Sequence, residues 1–454
     1  MSVIDRATPG KRRRVVMLVV SNFPRDNRVH KSARSVAKLG HKVTVVWTHP
    51  TLKRRVVTEH GTFRSIGVPL DYSNRRRVSQ EISARKPRTI PILSAEGGWP
   101  WLRIFAHSTV GLINRRVVDL HRRRLSGSKN ARALHRATVK DIHDALLPEI
   151  FANNPEILHV QDIQPLTVAF VARLAYRESV GNPLRVIYDA HEYVAGQVTS
   201  GAHSASLWEA DQRKCIKEVD SVSTVCDPIA EKLCADYSLN VQPLTILNVP
   251  DLQLAGEVKT VREVCGLAND VQLVVYSGSI APQRGVATVI EAVAKMPEVH
   301  LAVICVPNTR TANAKQMSEM ARNFRASDRI HLVEPVDPNN VVEFLRGADV
   351  GAHPLVSGPI NHELALPNKL FDYIHAGLTL CVSSVTTMSR FVIDNKLGTV
   401  FTSGSVEDCR AALASALAGR RSNRFETLGE GALAQYTWDS QEEKFEMLYS
   451  RIRL

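Results

Sequence analysis

Four side chains in this 454-residue sequence stand where they could neutralise phosphate or bind hydroxyls: Arg284, Lys369, Asp372 and His191. Arg284 comes near the end of a run of small residues, Ser277-Gly278-Ser279-Ile280-Ala281-Pro282-Gln283-Arg284-Gly285. Small residues leave backbone N–H groups open to an anion, and the start of a following helix attracts negative charge. A guanidinium adds a fork of donors, each charge-assisted bond being worth roughly 1.5–3 kcal/mol. Lys369 lies in Pro367-Asn368-Lys369-Leu370-Phe371-Asp372, which begins another helix. Its ammonium can meet phosphate, and Asp372, one turn on, can accept from hydroxyls. Each feature has a plainer alternative: a turn with a surface arginine, or an aspartate complementing a helix dipole.

Two further polar clusters follow expected strands, His159-Val160-Gln161-Asp162 and Asp189-Ala190-His191-Glu192. Strand ends are poor places for core residues, so Asp162 and His191 are expected to face a cleft. Other chemistries find no support. GxGxxG is missing after the first strand, and a Walker A loop, HExxH and any Asp-x-Asp triplet are absent. This weighs against a dehydrogenase and against a metal-bridged diphosphate.

The elements that must carry these residues read as alternating strands and helices. Arg14 to Val20 is a continuous apolar run, the mark of a strand buried on both faces. The loop Ser21 to Asp26 leads to an amphipathic helix ending at Gly40, and the next strand spans Lys42 to Trp47. Such a β-α-β opening predicts a parallel, doubly wound sheet. Strands are expected near 156–160, 184–189 and 219–225, and from Gln272 a second alternation runs to about 394. The spacing predicts an N-terminal domain over 1–251, a C-terminal one over 252–435 and a last amphipathic helix over 436–454. Residues 71–98 are polar, rich in Pro and Arg and without period, which predicts a loop or insertion. Residues 99–125 read as a basic amphipathic helix suited to a lipid interface.

Charge is unevenly placed. Residues 1–150 carry 31 Lys+Arg against 10 Asp+Glu, whereas residues 151–454 carry 27 against 35, within a net +13. The basic third suits an anionic membrane surface, or a solvated face. Aromatics are only 6% of the chain, with no basic-aromatic stretches, so nucleic acid is not expected as a partner. Seven scattered cysteines without a CxxC pair, and a basic N-terminus without an apolar core, predict a cytoplasmic protein.

In order and spacing the chain resembles the GT-B-fold retaining glycosyltransferases, family 4. The resemblance rests on Phe23-Pro24-Arg25-Asp26-Asn27-Arg28-Val29, Ile157 to Asp162, Tyr188 to Glu192, Tyr276 to Gly285, Leu366 to Gly377 and Tyr436-Thr437-Trp438. It implies two Rossmann-like domains facing a cleft, with the last helix crossing back to the first domain. It also implies metal-free transfer of a sugar from a nucleotide-diphosphate sugar to a glycan or lipid-linked acceptor, with no bound cofactor. Arg284 and Lys369 would stabilise the departing diphosphate, and Asp372 would bind donor hydroxyls. His191 would lie near the reacting carbon. Gly278, Ser279, Pro367 and Asn368 would complete the donor side, and Asn22, Arg25, Asp26 and Asp162 the acceptor side. The family pattern has two glutamates with seven residues between them. Here the later is Asp372 and the earlier is Leu364, with Glu363 beside it, and Ser279 replaces an arginine. Glu363 is therefore expected to take the missing donor contact. A non-catalytic binding protein and a nucleotide-sugar epimerase are the alternatives on the same architecture.

Overall fold

The computed structural model describes residues 12–84, 128–179, 184–197, 204–252, 258–421 and 430–452. The expected basic helix over 99–125 lies outside them. Two sheets carry the fold. The first contains β1 (Arg14–Val19), β2 (Lys42–His49), β3 (Val56–Glu59), β4 (Arg64–Pro69), β5 (Ile157–Gln161), β6 (Arg185–Ala190), β7 (Ser221–Thr224) and β8 (Leu244–Thr245). Their order is β3-β4-β2-β1-β5-β6-β7-β8. All neighbours are parallel except β3 and β4, which pair antiparallel. The second sheet contains β9 (Gln272–Ser279), β10 (Val299–Val306), β11 (Ile330–Val333), β12 (Val350–His353), β13 (Thr379–Ser383) and β14 (Gly398–Phe401). Its order is β11-β10-β9-β12-β13-β14, parallel throughout. The central strands β1 and β9 are mostly buried and carry apolar cores, Val15 to Val19 and Leu273 to Tyr276, as a sheet covered on both faces requires.

The expected loop or insertion over 71–98 needs correction at 71–84, and residues 85–98 lie outside the described residues. A helix spans Ser73–Ala84. Its N-terminus is capped from outside: the backbone N–H groups of Asn74 and Arg75 donate to the Asp141 carboxylate, each at 3.0 Å. Asp141 belongs to the helix Ser128–Asn153, which buries Ile142, Leu146 and Ile150 on the first sheet. A tertiary cap thus supplies what the polar local sequence does not.

The two sheets share one hydrophobic cluster, which runs from Val15, Val43 and Trp47 to Val275, Leu370 and Val382. The last helix, Trp438–Ser450, lies against the first domain and adds Trp438, Phe445 and Leu448 to that cluster. The Trp438 indole donates to Ser35 Oγ at 2.9 Å, and its backbone N–H donates to the Pro250 carbonyl at 2.9 Å. Tyr449 meets His159 Nδ1 at 3.1 Å. Among the described residues no helix is long and apolar enough to cross a membrane.

Candidate active site between the two sheets

A cavity of about 1030 Å³ opens at the carboxyl ends of the strands of both sheets. That is where ligands bind open parallel sheets, since loops and helix N-termini converge there. The first sheet contributes Asn22, Arg25, Asp26 and Lys31 from the segment after β1, and His191 from the end of β6. The second contributes Arg284, from the turn after β9, and Pro367, Asn368, Lys369 and Asp372, from the helix Asn368–His375. Nine of the residues picked from sequence therefore meet in one cavity.

The β9 turn depends on Gly285, whose φ is +71°. A Cβ there would lie 1.9 Å from the Pro354 carbonyl oxygen, so only glycine lets the two post-strand segments touch. The Arg284 backbone N–H donates to the Ala281 carbonyl at 2.8 Å, but its side chain makes no hydrogen bond or ion pair with other described residues. Its guanidinium is left free toward the cavity. Lys369 Nζ lies 3.7 Å from Asp372 Oδ2. Burial raises the pKa of Asp372, while the charges of Lys369 and Lys31 oppose that rise. At Gly278, a Cβ would stand 3.6 Å from Lys369 Cε, so the lysine stem runs close past the loop.

In the first domain, Arg28 makes a bidentate pair with Asp189, 2.9 Å to each oxygen, and Ser223 donates to the same carboxylate at 2.8 Å. Asp189 is buried; burial pushes its pKa up, but Arg28 and His191 hold it well below the usual range. His191 Nε2 is 3.2 Å from both Asp189 Oδ2 and Gln161 Oε1. Burial works against the imidazolium, yet the hydrogen bond and charge of Asp189 raise its pKa overall. The result is a histidine biased toward the positive form on the cavity wall.

Other expectations fare differently. Asp26 lines the cavity, but its carboxylate is engaged as the N-cap of the helix Asn27–Lys38, accepting from Ser21 Oγ and from the Val29 N–H. Asp162 does not line the cavity. It adopts φ +65°, and its Oδ1 is shut off from solvent without a partner among the described residues; burial pushes its pKa up to about 6. Gly278 and Ser279 also stand off the wall. Glu363 needs correction as a donor contact. Its two oxygens accept from the Gly358 N–H at 2.9 Å and from the N–H and Oγ1 of Thr386 at 2.8 and 2.7 Å. It braces the loop against the helix Thr386–Asp394 and is not among the residues that line the cavity.

Lys31 is the residue that sequence reasoning missed. It is 2% exposed, donates to the Val249 carbonyl at 2.5 Å and lies 4.5 Å over the Trp438 ring. Burial lowers its pKa to about 7, against the opposing charge of Asp372. The signal was present: Arg28, Lys31, Ser32 and Ser35 recur at helical spacing and share a polar buried face.

The fold and the convergence of both sheets on one cavity are those of the GT-B glycosyltransferases. Residues 257–432 match the family model for glycosyl transferases group 1, so the C-terminal half carries that domain. A curated relative, D-inositol 3-phosphate glycosyltransferase 2 of Catenulispora acidiphila, is 24% identical over 208 residues, 43% of this chain. The match spans 47% of that relative, or about half its length. Among solved structures, sucrose-phosphate synthase from Thermosynechococcus elongatus superposes with TM-score 0.68 at 15% identity, covering 97% of this chain and 99% of that one. The E. coli trehalose-6-phosphate structure bound with UDP-2-fluoro glucose gives 0.59 at 12% identity over 97% and 99%. WaaG, described as a glycosyltransferase involved in lipopolysaccharide biosynthesis, gives 0.59 at 16% over 96% and 99%.

Proposed function

We propose that this protein is a retaining glycosyltransferase of family 4 that moves a sugar from a nucleotide-diphosphate sugar to a glycan or lipid-linked acceptor. One observation carries the reading: the free Arg284 guanidinium and the Lys369 ammonium face the same cavity, one from each of two helix-start segments. In glycosyl transfer the leaving group is a nucleoside diphosphate, and charge develops on its phosphate oxygens as the sugar departs. Fixed cations aimed at that charge stabilise the transition state. Arg284 and Lys369 do so here without a bound metal. Asp372 accepts from donor hydroxyls, and His191, held by Asp189, stands on the opposite wall near the reacting carbon. Retention of configuration is carried over from the resemblance to family 4.

The acceptor enters from the N-terminal domain, past Asn22 and Arg25. The basic N-terminal third fits an acceptor at an anionic membrane surface, in envelope polysaccharide or glycolipid synthesis, with the enzyme peripheral on the cytoplasmic face. The likeness to WaaG, a glycosyltransferase involved in lipopolysaccharide biosynthesis, and to D-inositol 3-phosphate glycosyltransferase 2 supports a lipid-borne or phosphate-bearing acceptor. The test is release of nucleoside diphosphate from a panel of nucleotide sugars, with chelator present throughout. The reading expects turnover of at least one donor that survives chelation and falls with Arg284→Ala. Binding of donors with no turnover on any acceptor would point to a non-catalytic relative.

A further inference from the structure

His353 ends β12 just behind the wall that carries Arg284 and Lys369, and is 4% exposed. Its ring lies nearly parallel to that of Tyr276, 14° between planes and 6.2 Å between centroids. Neither Nδ1 nor Nε2 has a hydrogen-bond partner among the described residues. Buried polar atoms are seldom left so, because leaving them unpaired costs stability. Two such atoms on one ring beside an anion-binding wall call for a function.

The surroundings say which one. After burial itself, the charges that act most on this ring are those of Arg284 and then Lys369, and together they hold its pKa down to about 3. The ring is therefore neutral at physiological pH, with one acceptor nitrogen and one N–H. Arg284 has donors without partners, and the ring has an acceptor without a donor. The two are tied by backbone contact as well. Gly285, next to Arg284, packs against the carbonyl of Pro354, next to His353, closely enough to exclude any side chain.

We propose that His353 is a positioning residue for the donor diphosphate: its neutral ring accepts one N–H of the Arg284 guanidinium and so aims the remaining donors at the phosphate oxygens. The contact forms when an anion draws Arg284 inward. The inference rests on reading the cavity as a nucleotide-diphosphate-sugar site. It explains why a histidine rather than an apolar residue fills a buried position on β12.

The experiment is calorimetric binding of UDP, GDP, ADP and CDP, and of the matching nucleosides, to wild type, His353→Phe, His353→Gln, Arg284→Ala and the Arg284→Ala/His353→Phe double variant. Phe keeps a flat ring on Tyr276 but removes both nitrogens, and Gln restores an acceptor. For whichever diphosphate wild type binds, His353→Phe should weaken binding about 10-fold while leaving nucleoside affinity unchanged. His353→Gln should recover most of the loss. In the Arg284→Ala background, His353→Phe should add nothing. Equal affinity of His353→Phe and wild type, losses that add to those of Arg284→Ala, or Gln behaving as Phe would each overturn the inference alone. If wild type binds none of the four diphosphates, the donor-site reading itself fails and takes this one with it. Melting curves check folding; should His353→Phe not fold, His353→Met carries the same prediction.

Discussion

The Lys369 ammonium lies 3.7 Å from the Asp372 carboxylate, one turn along the same helix, and both face the cavity between the sheets. The pair is set before any substrate is considered: the lysine is held by its own helix neighbour, and its charge offsets part of the rise that burial gives the acid's pKa. Removing the cation should therefore act twice. Lys369→Ala should lower kcat/KM about 10²–10³-fold, as loss of one transition-state donor does, and should raise the Asp372 pKa further. Asp372→Asn should mainly raise the donor KM. Steady-state kinetics with the active donor check both, and a Lys369→Ala enzyme of wild-type efficiency would refute the pairing.

Asp189 is the pivot of the first domain's wall. Asp189→Asn leaves the buried Arg28 without its bidentate partner, which should cost about 3–5 kcal/mol in urea unfolding. It should also lower the His191 pKa, read by NMR titration. The pH signs follow from the shifts. His191 has a folded pKa above 6.5, so its contribution to stability is full below 6.5 and is lost as pH rises through the folded value. Asp189 has a folded pKa below 3.8, so its contribution holds above 3.8 and is lost as pH falls through the folded value. An unchanged His191 titration in Asp189→Asn would contradict the account.

Lys31 behaves in the opposite sense. Its folded pKa is about 7 against 10.5 for the free side chain. Between those values the unfolded chain binds more protons than the folded one, so stability should rise with pH across that window. Lys31→Met should remove this rise. Parallel pH–stability curves for the two proteins would rule out a buried, depressed Lys31.

The crossing helix should be a structural tie between the domains. Trp438 is 2% exposed and its indole donates to Ser35. Trp438→Ala should cost about 3–5 kcal/mol, as loss of a large buried aromatic does. Urea midpoints at fixed pH measure it, and a cost below 1 kcal/mol would place the helix outside the cooperative core.

Much of this was legible in the sequence, and for physical reasons. Doubly buried parallel strands such as Arg14–Val19 and Thr379–Ser383 are built on short apolar runs, Val15 to Val19 and Leu380 to Val382, and helix ends carry Gly40 and Gly377 where φ is positive. The wall residues followed from the same logic, because strand ends with polar side chains point to a cleft. What stayed hidden depends on distant partners. The helix Ser73–Ala84 needs Asp141, which lies 67 residues beyond the Asn74 side chain it accepts from. The antiparallel edge strand β3 is exposed at every position and offers no burial pattern to read. Glu363 stands beside the expected position in sequence, but three donors from Gly358 and Thr386, the latter 23 residues on, occupy its carboxylate. The burial of Lys31 depends on Val249 and Trp438, more than 200 residues away in the chain.

The most direct measurement is the affinity of a nucleoside diphosphate relative to its own nucleoside, in wild type and in Arg284→Ala/Lys369→Ala, with chelator in both cells. If these two side chains carry the phosphate charge, wild type should prefer the diphosphate strongly and the double variant should bind diphosphate and nucleoside about equally. A double variant that keeps the wild-type preference would show that the phosphates are held elsewhere.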